Sequence, residues 1–236
     1  MRTLDKKMLR TMVRNRSQIL AAIAVVTCGT ACFICLASLH ENLKLTRDTY
    51  YSQNRFADFE IRLERAPTTT LYELQEIPGV RQVRGRIVED VKLDVEGVSE
   101  ARMGRIISVP DTGGGFLNGV VIRSGNFFEA GAQNEVILSE QFAQANALGV
   151  GDHIKATIDG KKHTLKIIGL GLSPEYVYTI RNIQELVPSP DRFGILWVTR
   201  DFAESALNME SACNSIIGSV EREDQLDSIL DVAENH

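Results

Sequence analysis

The strongest pattern along the chain is an uninterrupted apolar run. Residues 17–39 read SQILAAIAVVTCGTACFICLASL and carry no charged side chain. As a helix this run would rise about 34 Å, enough to cross a hydrocarbon core of about 30 Å. Its polar members are Ser, Thr and Gln, which can bond to helix carbonyls or to neighbouring helices. A cleaved signal peptide is the rival reading, but its apolar region is usually only about 7–15 residues and no clear A-x-A site follows here. A buried soluble helix is the weaker rival. Ahead of the run, Leu4, Met8, Leu9, Met12 and Val13 recur at helical spacing with Lys and Arg between them. Residues 1–16 therefore read as a basic amphipathic segment suited to lipid headgroups, or more simply as a basic flank that sets topology.

Beyond residue 39 the period changes. Residues 43–51 extend the helix, 57–64 (ADFEIRLE) alternate as a half-buried strand, and 68–77 read as a helix with threonines to cap it. Pro78-Gly79 ends that helix. Residues 80–95 then supply strands with Val80, Val83, Ile87, Val91, Leu93 and Val95 as apolar positions, completing a β-α-β unit. A comparable unit returns late: a strand at 195–199, a helix capped by Asp201 and running to Met209, and a strand at 215–220. A final helix over 224–233 places Leu226, Ile229, Leu230 and Ala233 on one face. Two such units predict a split ferredoxin-like sandwich. No strand follows the last helix, so the pattern stops one element short and the chain reads as C-terminally truncated. Between the units, about residues 100–190 form a β-rich insertion. It holds a strand at 135–138, a helix capped by Ser139 and running to Ala147, a turn at 149–152, and strands at 153–158 and 162–170. Asp159-Gly160 marks those two strands as a hairpin, because both turn positions need positive φ. The expected class is α+β: one transmembrane helix at 17–39, then a domain over 40–236.

Charge orients this arrangement. Residues 1–16 hold six of the 26 basic residues and one of the 31 acidic ones, a local +5, which leaves the remainder at −10. The positive-inside rule puts the basic tail in the cytoplasm and residues 40 onward outside. An acidic domain behind a short basic tail argues against nucleic-acid binding. Cys28, Cys32 and Cys35 all fall inside the apolar run. There they serve packing better than redox or metal chemistry: Ala24, Cys28, Ala31 and Cys35 form a face of small residues on which another membrane helix can approach closely. Only Cys213 lies outside, so the external domain has no internal disulfide and must fold on its core.

Catalytic chemistry is not visible. Asp111-Thr112-Gly113 matches an aspartic-protease tripeptide, but no second copy exists to build a carboxylate pair. Gly113–Gly115 is followed by no Gly-Lys-Ser/Thr and is not a phosphate loop. A two-residue turn at Asp159-Gly160 pairs 156 with 163 and 153 with 166, so His153 and His163 fall on opposite faces of the hairpin and do not make a metal site. Tyr176 and Tyr178, with Phe193 and Trp197, are a candidate partner surface, with core packing as the alternative. No enzyme and no cofactor are expected in this chain.

The order of motifs carries a resemblance. The basic start and single apolar run precede RFADFEIRLERAP (55–67), ELQEIPGVRQV (73–83), EVILSEQFAQANALGVGDHI (135–154), IIGLGLSPEYVY (167–178) and RFGILWV (192–198). This resembles the FtsX-like permease family of ABC transporters, in its first membrane helix and MacB-like periplasmic core domain, over essentially the whole chain. The resemblance implies an inner-membrane permease unit whose external domain couples membrane-helix motion to export or extraction of a substrate, without covalent chemistry. It also implies lipid as surroundings, a separate ATPase subunit to bind ATP, often a periplasmic adaptor, and a dimer of permease units. Ending at His236, the chain stops before the later membrane helices of that family. A single-pass periplasmic binding or adaptor module acting alone is the alternative expectation.

Overall fold

The computed structural model describes residues 15–97, 100, 102–111, 113, 115–176 and 190–234. The chain divides into two units, one ending at Tyr50 and the other beginning at Tyr51. The first is built on α1 (Arg16–Gln53), a continuous helix of 38 residues. Leu20, Ile23, Phe33 and Leu36 are each more than half exposed on it, a surface suited to lipid rather than water. The helix is long and apolar enough to cross a membrane. Within that stretch, the Thr30 hydroxyl donates to the Val26 carbonyl at 2.8 Å, so it needs no partner from outside the helix. Of the basic segment expected over 1–16, all but the last two residues lie outside the described residues.

The second unit is mixed α+β and holds two sheets. In chain order its elements are β1 (Phe59–Pro67), α2 (Thr70–Gln75), β2 (Val80–Arg86), β3 (Val88–Asp94), β4 (Arg102–Val109), β5 (Val121–Gly125), β6 (Glu135–Ser139) and α3 (Glu140–Ala145). They continue with β7 (His153–Ile158), β8 (Lys161–Leu172), β9 (Phe193–Thr199), α4 (Arg200–Ala206), β10 (Ala212–Val220) and α5 (Leu226–Glu234). The small sheet is antiparallel, with order β1-β10-β2. The large one runs β5-β8-β6-β9-β4-β3-β7, and β7 also pairs with β8. That extra pairing closes six strands into a small barrel and leaves β5 attached outside. The length of β8 makes closure feasible: its first half pairs with β7, and from Lys166 onward it pairs with β6.

Alternation fills the barrel. Val91, Leu93, Ile106, Leu138, Ile158, Leu165 and Val198 belong to one buried cluster, as inward positions of a closed sheet should. The interior is narrow: a Cβ on Gly104 would come within 2.6 Å of Leu93 and 2.7 Å of Leu196. The opposite face of β9 is covered as well, where Ile195 and Trp197 pack with Phe116 and Phe128. The β7–β8 hairpin has the expected register, His153 opposite Lys166 and Ala156 opposite His163. Its turn residues Asp159 and Gly160 have φ of 46° and 73°.

Four expectations are corrected. The strand at Phe193–Thr199 does not join the small sheet as half of a second β-α-β unit. All seven of its residues are buried, which suits a strand covered on both faces, and it runs parallel to β4 inside the barrel. Thr199, not Asp201, caps α4, its side chain accepting from the Phe202 N–H. Ser139 stands at the start of α3 but does not cap it; its hydroxyl accepts from the Ile195 N–H at 3.1 Å, tying β6 to β9. The barrel runs from Val88 to Thr199, wider at both ends than the insertion expected over about 100–190.

Candidate functional site

The chain crosses directly from one sheet to the other at Ile87, which is fully buried. Before it, β2 belongs to the small sheet; after it, β3 belongs to the barrel. One face of the small sheet is apolar and packs Leu74 of α2 and Ile229 of α5 over Phe59, Val80, Cys213 and Ile216. The other face carries Glu60, Arg84, Arg86, Ser215 and Ile217, and this polar face meets the barrel.

Arg86 is the centre of that seam, 1% exposed. Its guanidinium makes two parallel bonds to Glu175 at 2.5 and 2.6 Å, a third to Glu60 at 2.9 Å and a fourth to the Ser215 hydroxyl at 3.0 Å. Burial works against the charge on Arg86, but its bonds to Glu175 and the negative charges nearby outweigh burial and raise its pKa. Burial likewise opposes charge on Glu60, yet hydrogen bonds from Arg62 and Ser215 and the charge of Arg86 hold its carboxyl below the usual range. Arg84 donates to the carbonyls of Leu117 and Ser108, both at 2.8 Å, and lies over the Phe116 ring. Burial first, and the like charge of Arg86 second, pull its pKa down. Asn214 adds a side-chain rung, its amide accepting from the Val88 N–H and donating to the Val88 carbonyl, each at 2.8 Å. From α4, Arg200 pairs with Glu204 and donates to the carbonyls of Gly85 and Ala212 in the small sheet.

The residues that follow α1 enter this seam. The carbonyls of Asn54 and Arg55 accept from the N–H groups of Gly119 and Asn118, and the Arg55 side chain donates to the Gly115 carbonyl. The Ala57 N–H donates to the Asn118 side chain at 2.8 Å, and Asn118 in turn donates to Glu175 at 2.9 Å. On the other side, the Asp58 N–H donates to the Gly218 carbonyl and its carboxylate accepts from the Val220 N–H. Residues 54–58 are thus tied both to the loop that leads into β5 and to the central strand of the small sheet. Ala57, Leu117 and Ile217 pack together at the same place. These groups satisfy one another's hydrogen bonds.

Residues 19–229 match the MacB-like periplasmic core domain family. The chain belongs to that family. Among solved structures similar to the chain, the extracellular domain of the noncanonic ABC-type transporter YknZ from Gram-positive bacteria is 13% identical, with 72% of this chain and 86% of that one covered and a TM-score of 0.46. The periplasmic region of MacB from Actinobacillus actinomycetemcomitans is 10% identical, with 74% and 75% covered and a TM-score of 0.45. No curated protein matches the chain. With a MacB-like core domain behind a membrane-length apolar helix, the chain has the make-up of an ABC-transporter permease component.

The residues singled out in the sequence fall in different places. Ala24, Cys28, Ala31 and Cys35 are all exposed along α1. Tyr176 ends the turn Pro174–Tyr176 and packs partly buried against the outer barrel cluster that also holds Phe193 and Trp197. Burial and neighbouring Glu175 raise its pKa, with Arg86 and Arg105 opposing. Tyr178 lies outside the described residues. His153 is exposed and His163 lies edge-on to Phe202. Among the described residues, no group of three or more His, Cys, Asp or Glu gathers as a metal site. Arg86 and Glu175 were not anticipated. The available signal was an arginine on the face of β2 opposite Gly85, whose Cβ position points at Leu71 and Cys213.

Proposed function

We propose that this chain is a permease component, coupling a partner ATPase to export or extraction of a substrate at the outer face of the inner membrane. Its basic tail faces the cytoplasm and its core domain faces the periplasm. The chain itself performs no covalent chemistry and binds no nucleotide; ATP belongs to the partner. A dimer of permease units in lipid, joined by a periplasmic adaptor, completes the assembly. The small sheet is half of a ferredoxin-like fold, an idea supported by the sequence of β1, α2, β2, β10 and α5 with strand order β1-β10-β2.

One observation carries the coupling reading. Residues 54–58, directly after the membrane helix, are bonded on one side to the barrel's loop and on the other to β10. A shift of the helix end would load both sheets at once. Replacing Arg55 and Asn118 together with Ala removes the side-chain ties at residues 55 and 57, and with them the Asn118 bond to Glu175. In the assembled transporter this change is expected to leave membrane levels and ATPase co-purification unchanged and to lower substrate-stimulated ATP turnover severalfold. Unaltered stimulation would overturn the coupling role.

A further inference from the structure

Asn118-Gly119, in the loop that leads into β5, is the one Asn-Gly pair in the chain. In such a pair the glycine nitrogen can attack the asparagine carboxamide carbon, because no side chain stands beside the nucleophile. A C–N bond forms, ammonia leaves, and water then opens the resulting succinimide ring to aspartate or isoaspartate. The net exchange is a water in and an ammonia out, with solvent as the sole co-reactant. The fold explains the first residue of the pair but not the second. Asn118 has a φ of 52°, a left-handed conformation that Asn adopts more readily than most side chains. Gly119 has no positive φ. A Cβ there would lie 3.6 Å from the Asn54 and Phe116 carbonyl oxygens, an ordinary contact. Neither space nor backbone demands glycine at 119, and what the glycine does confer is the reactivity of its neighbour.

In the folded protein both reacting groups are engaged. The Asn118 carboxamide accepts from the Ala57 N–H at 2.8 Å and donates to Glu175 at 2.9 Å. The Gly119 N–H, which must give up its proton to attack, donates to the Asn54 carbonyl at 3.1 Å. Asn118 is 7% exposed, so little water reaches it. Apart from Glu175, these partners all come from residues 54–57. We propose that Asn118 is a deamidation site gated by residues 54–57, protected while they hold the loop and converted when they let go. Conversion puts a carboxylate where the amide donated to Glu175, so like charges meet and the contact cannot re-form as it was. Each opening therefore carries a chance of permanent loosening, and the converted fraction records how often the seam has opened. The proposal needs these contacts alone and does not rest on the transport reading.

The test is peptide mass spectrometry of the full chain, held in mildly alkaline buffer either folded in detergent micelles or unfolded in urea. Unfolded, Asn118 should convert faster than any other asparagine of the chain. Folded, it should convert at least about tenfold more slowly, because reaction then waits on local opening. Arg55→Ala removes the donation to the Gly115 carbonyl that helps hold residues 54–57 against the loop, and should speed conversion of the folded chain severalfold. Gly119→Ala should slow conversion of the unfolded chain severalfold and leave the urea midpoint of the folded one unchanged. Asn118→Asp, the product made by mutation, should unfold at lower urea than the parent. Circular dichroism separates a loosened contact from a lost fold. Should Arg55→Ala fail to fold, the parent in its two states and Gly119→Ala decide the matter alone. The proposal is overturned by equal conversion folded and unfolded, or by an unfolded chain in which Asn118 converts no faster than its other asparagines. A folded Arg55→Ala chain that converts as the parent does, a Gly119→Ala chain that converts as fast unfolded, or an unshifted midpoint for Asn118→Asp overturns it as well.

Discussion

Every nitrogen of the Arg86 guanidinium is aimed at an acceptor on another strand or turn, and two carboxylates depend on it. Removing the cation leaves Glu60 with only Arg62 and Ser215, and Glu175 with only Asn118, among these bonds. Arg86→Met should therefore cost about 3–5 kcal/mol, seen as a lower urea midpoint for the domain. Adding Glu60→Gln and Glu175→Gln to the Arg86→Met variant should recover part of that loss, because the buried carboxylates are then neutral. An equal loss would mean that packing, not charge, governs the joint. The same joint sets a pH response. The folded pKa of Glu60 is depressed, so its contribution is present above the ordinary 4.5 and disappears as pH falls through its lower folded value. Burial and Asp90 raise Glu89, so its contribution has the opposite sign: it is complete below 4.5 and is lost as pH rises through the raised value. Stability measured at falling pH should thus decline below 4.5, and Glu60→Gln should flatten that limb. Little of this was readable beforehand. Arg84-x-Arg86 looks like the solvated face of an edge strand, and Glu175 lies 89 residues away. Only the barrel, which local periodicity does not reveal, covers that face.

At the scale of elements, short-range rules held where chemistry is local. The Asp159-Gly160 turn set the hairpin register, and with it the separation of His153 from His163. They failed where a competing partner sat elsewhere in the fold. Asp201 is a good cap by type, but Thr199 occupies the extended position before the helix and its hydroxyl reaches the Phe202 N–H. Ser139 has the right place, yet the Ile195 N–H takes its oxygen. The strand Phe193–Thr199 was found, but its sheet was not. Apolar residues on both faces mark a strand as central without naming its neighbours. In α1 the pattern again says what the surface is without saying what meets it. Lipid offers no hydrophobic drive for helix association, so close contact depends on small side chains. Replacing Cys28 and Ala31 together with Leu keeps the helix apolar and should leave insertion unchanged. We expect the added bulk to abolish co-purification of the ATPase, or export, in the complete transporter. Normal export by the Leu variant would reduce α1 to a tether.

For the whole molecule, the decisive question is which side of the membrane holds the core domain, because coupling requires the basic tail and that domain to be on opposite sides. Charge supplies the prediction: +5 over residues 1–16 against −10 for the rest, with the basic end retained in the cytoplasm. The native thiols leave the experiment clean. Cys28, Cys32 and Cys35 lie within the apolar stretch of α1, and Cys213 is fully buried against Ala66, Leu74 and Ile216. A new cysteine on the domain surface would then dominate labelling by an impermeant reagent. Tyr72, on α2, is 73% exposed and joins none of the core clusters, so Tyr72→Cys should not disturb the fold. In intact cells whose outer barrier admits the reagent, Tyr72→Cys should label and Arg2→Cys should not; after the inner membrane is opened, Arg2→Cys should label as well. The reverse order would place the core domain in the cytoplasm. A transmembrane helix delivering motion to the seam could not then act on a substrate outside, and the permease reading would fail with it. Labelling of both sites before the membrane is opened would instead mean that α1 does not span the bilayer, leaving residues 54–58 with no membrane helix to obey.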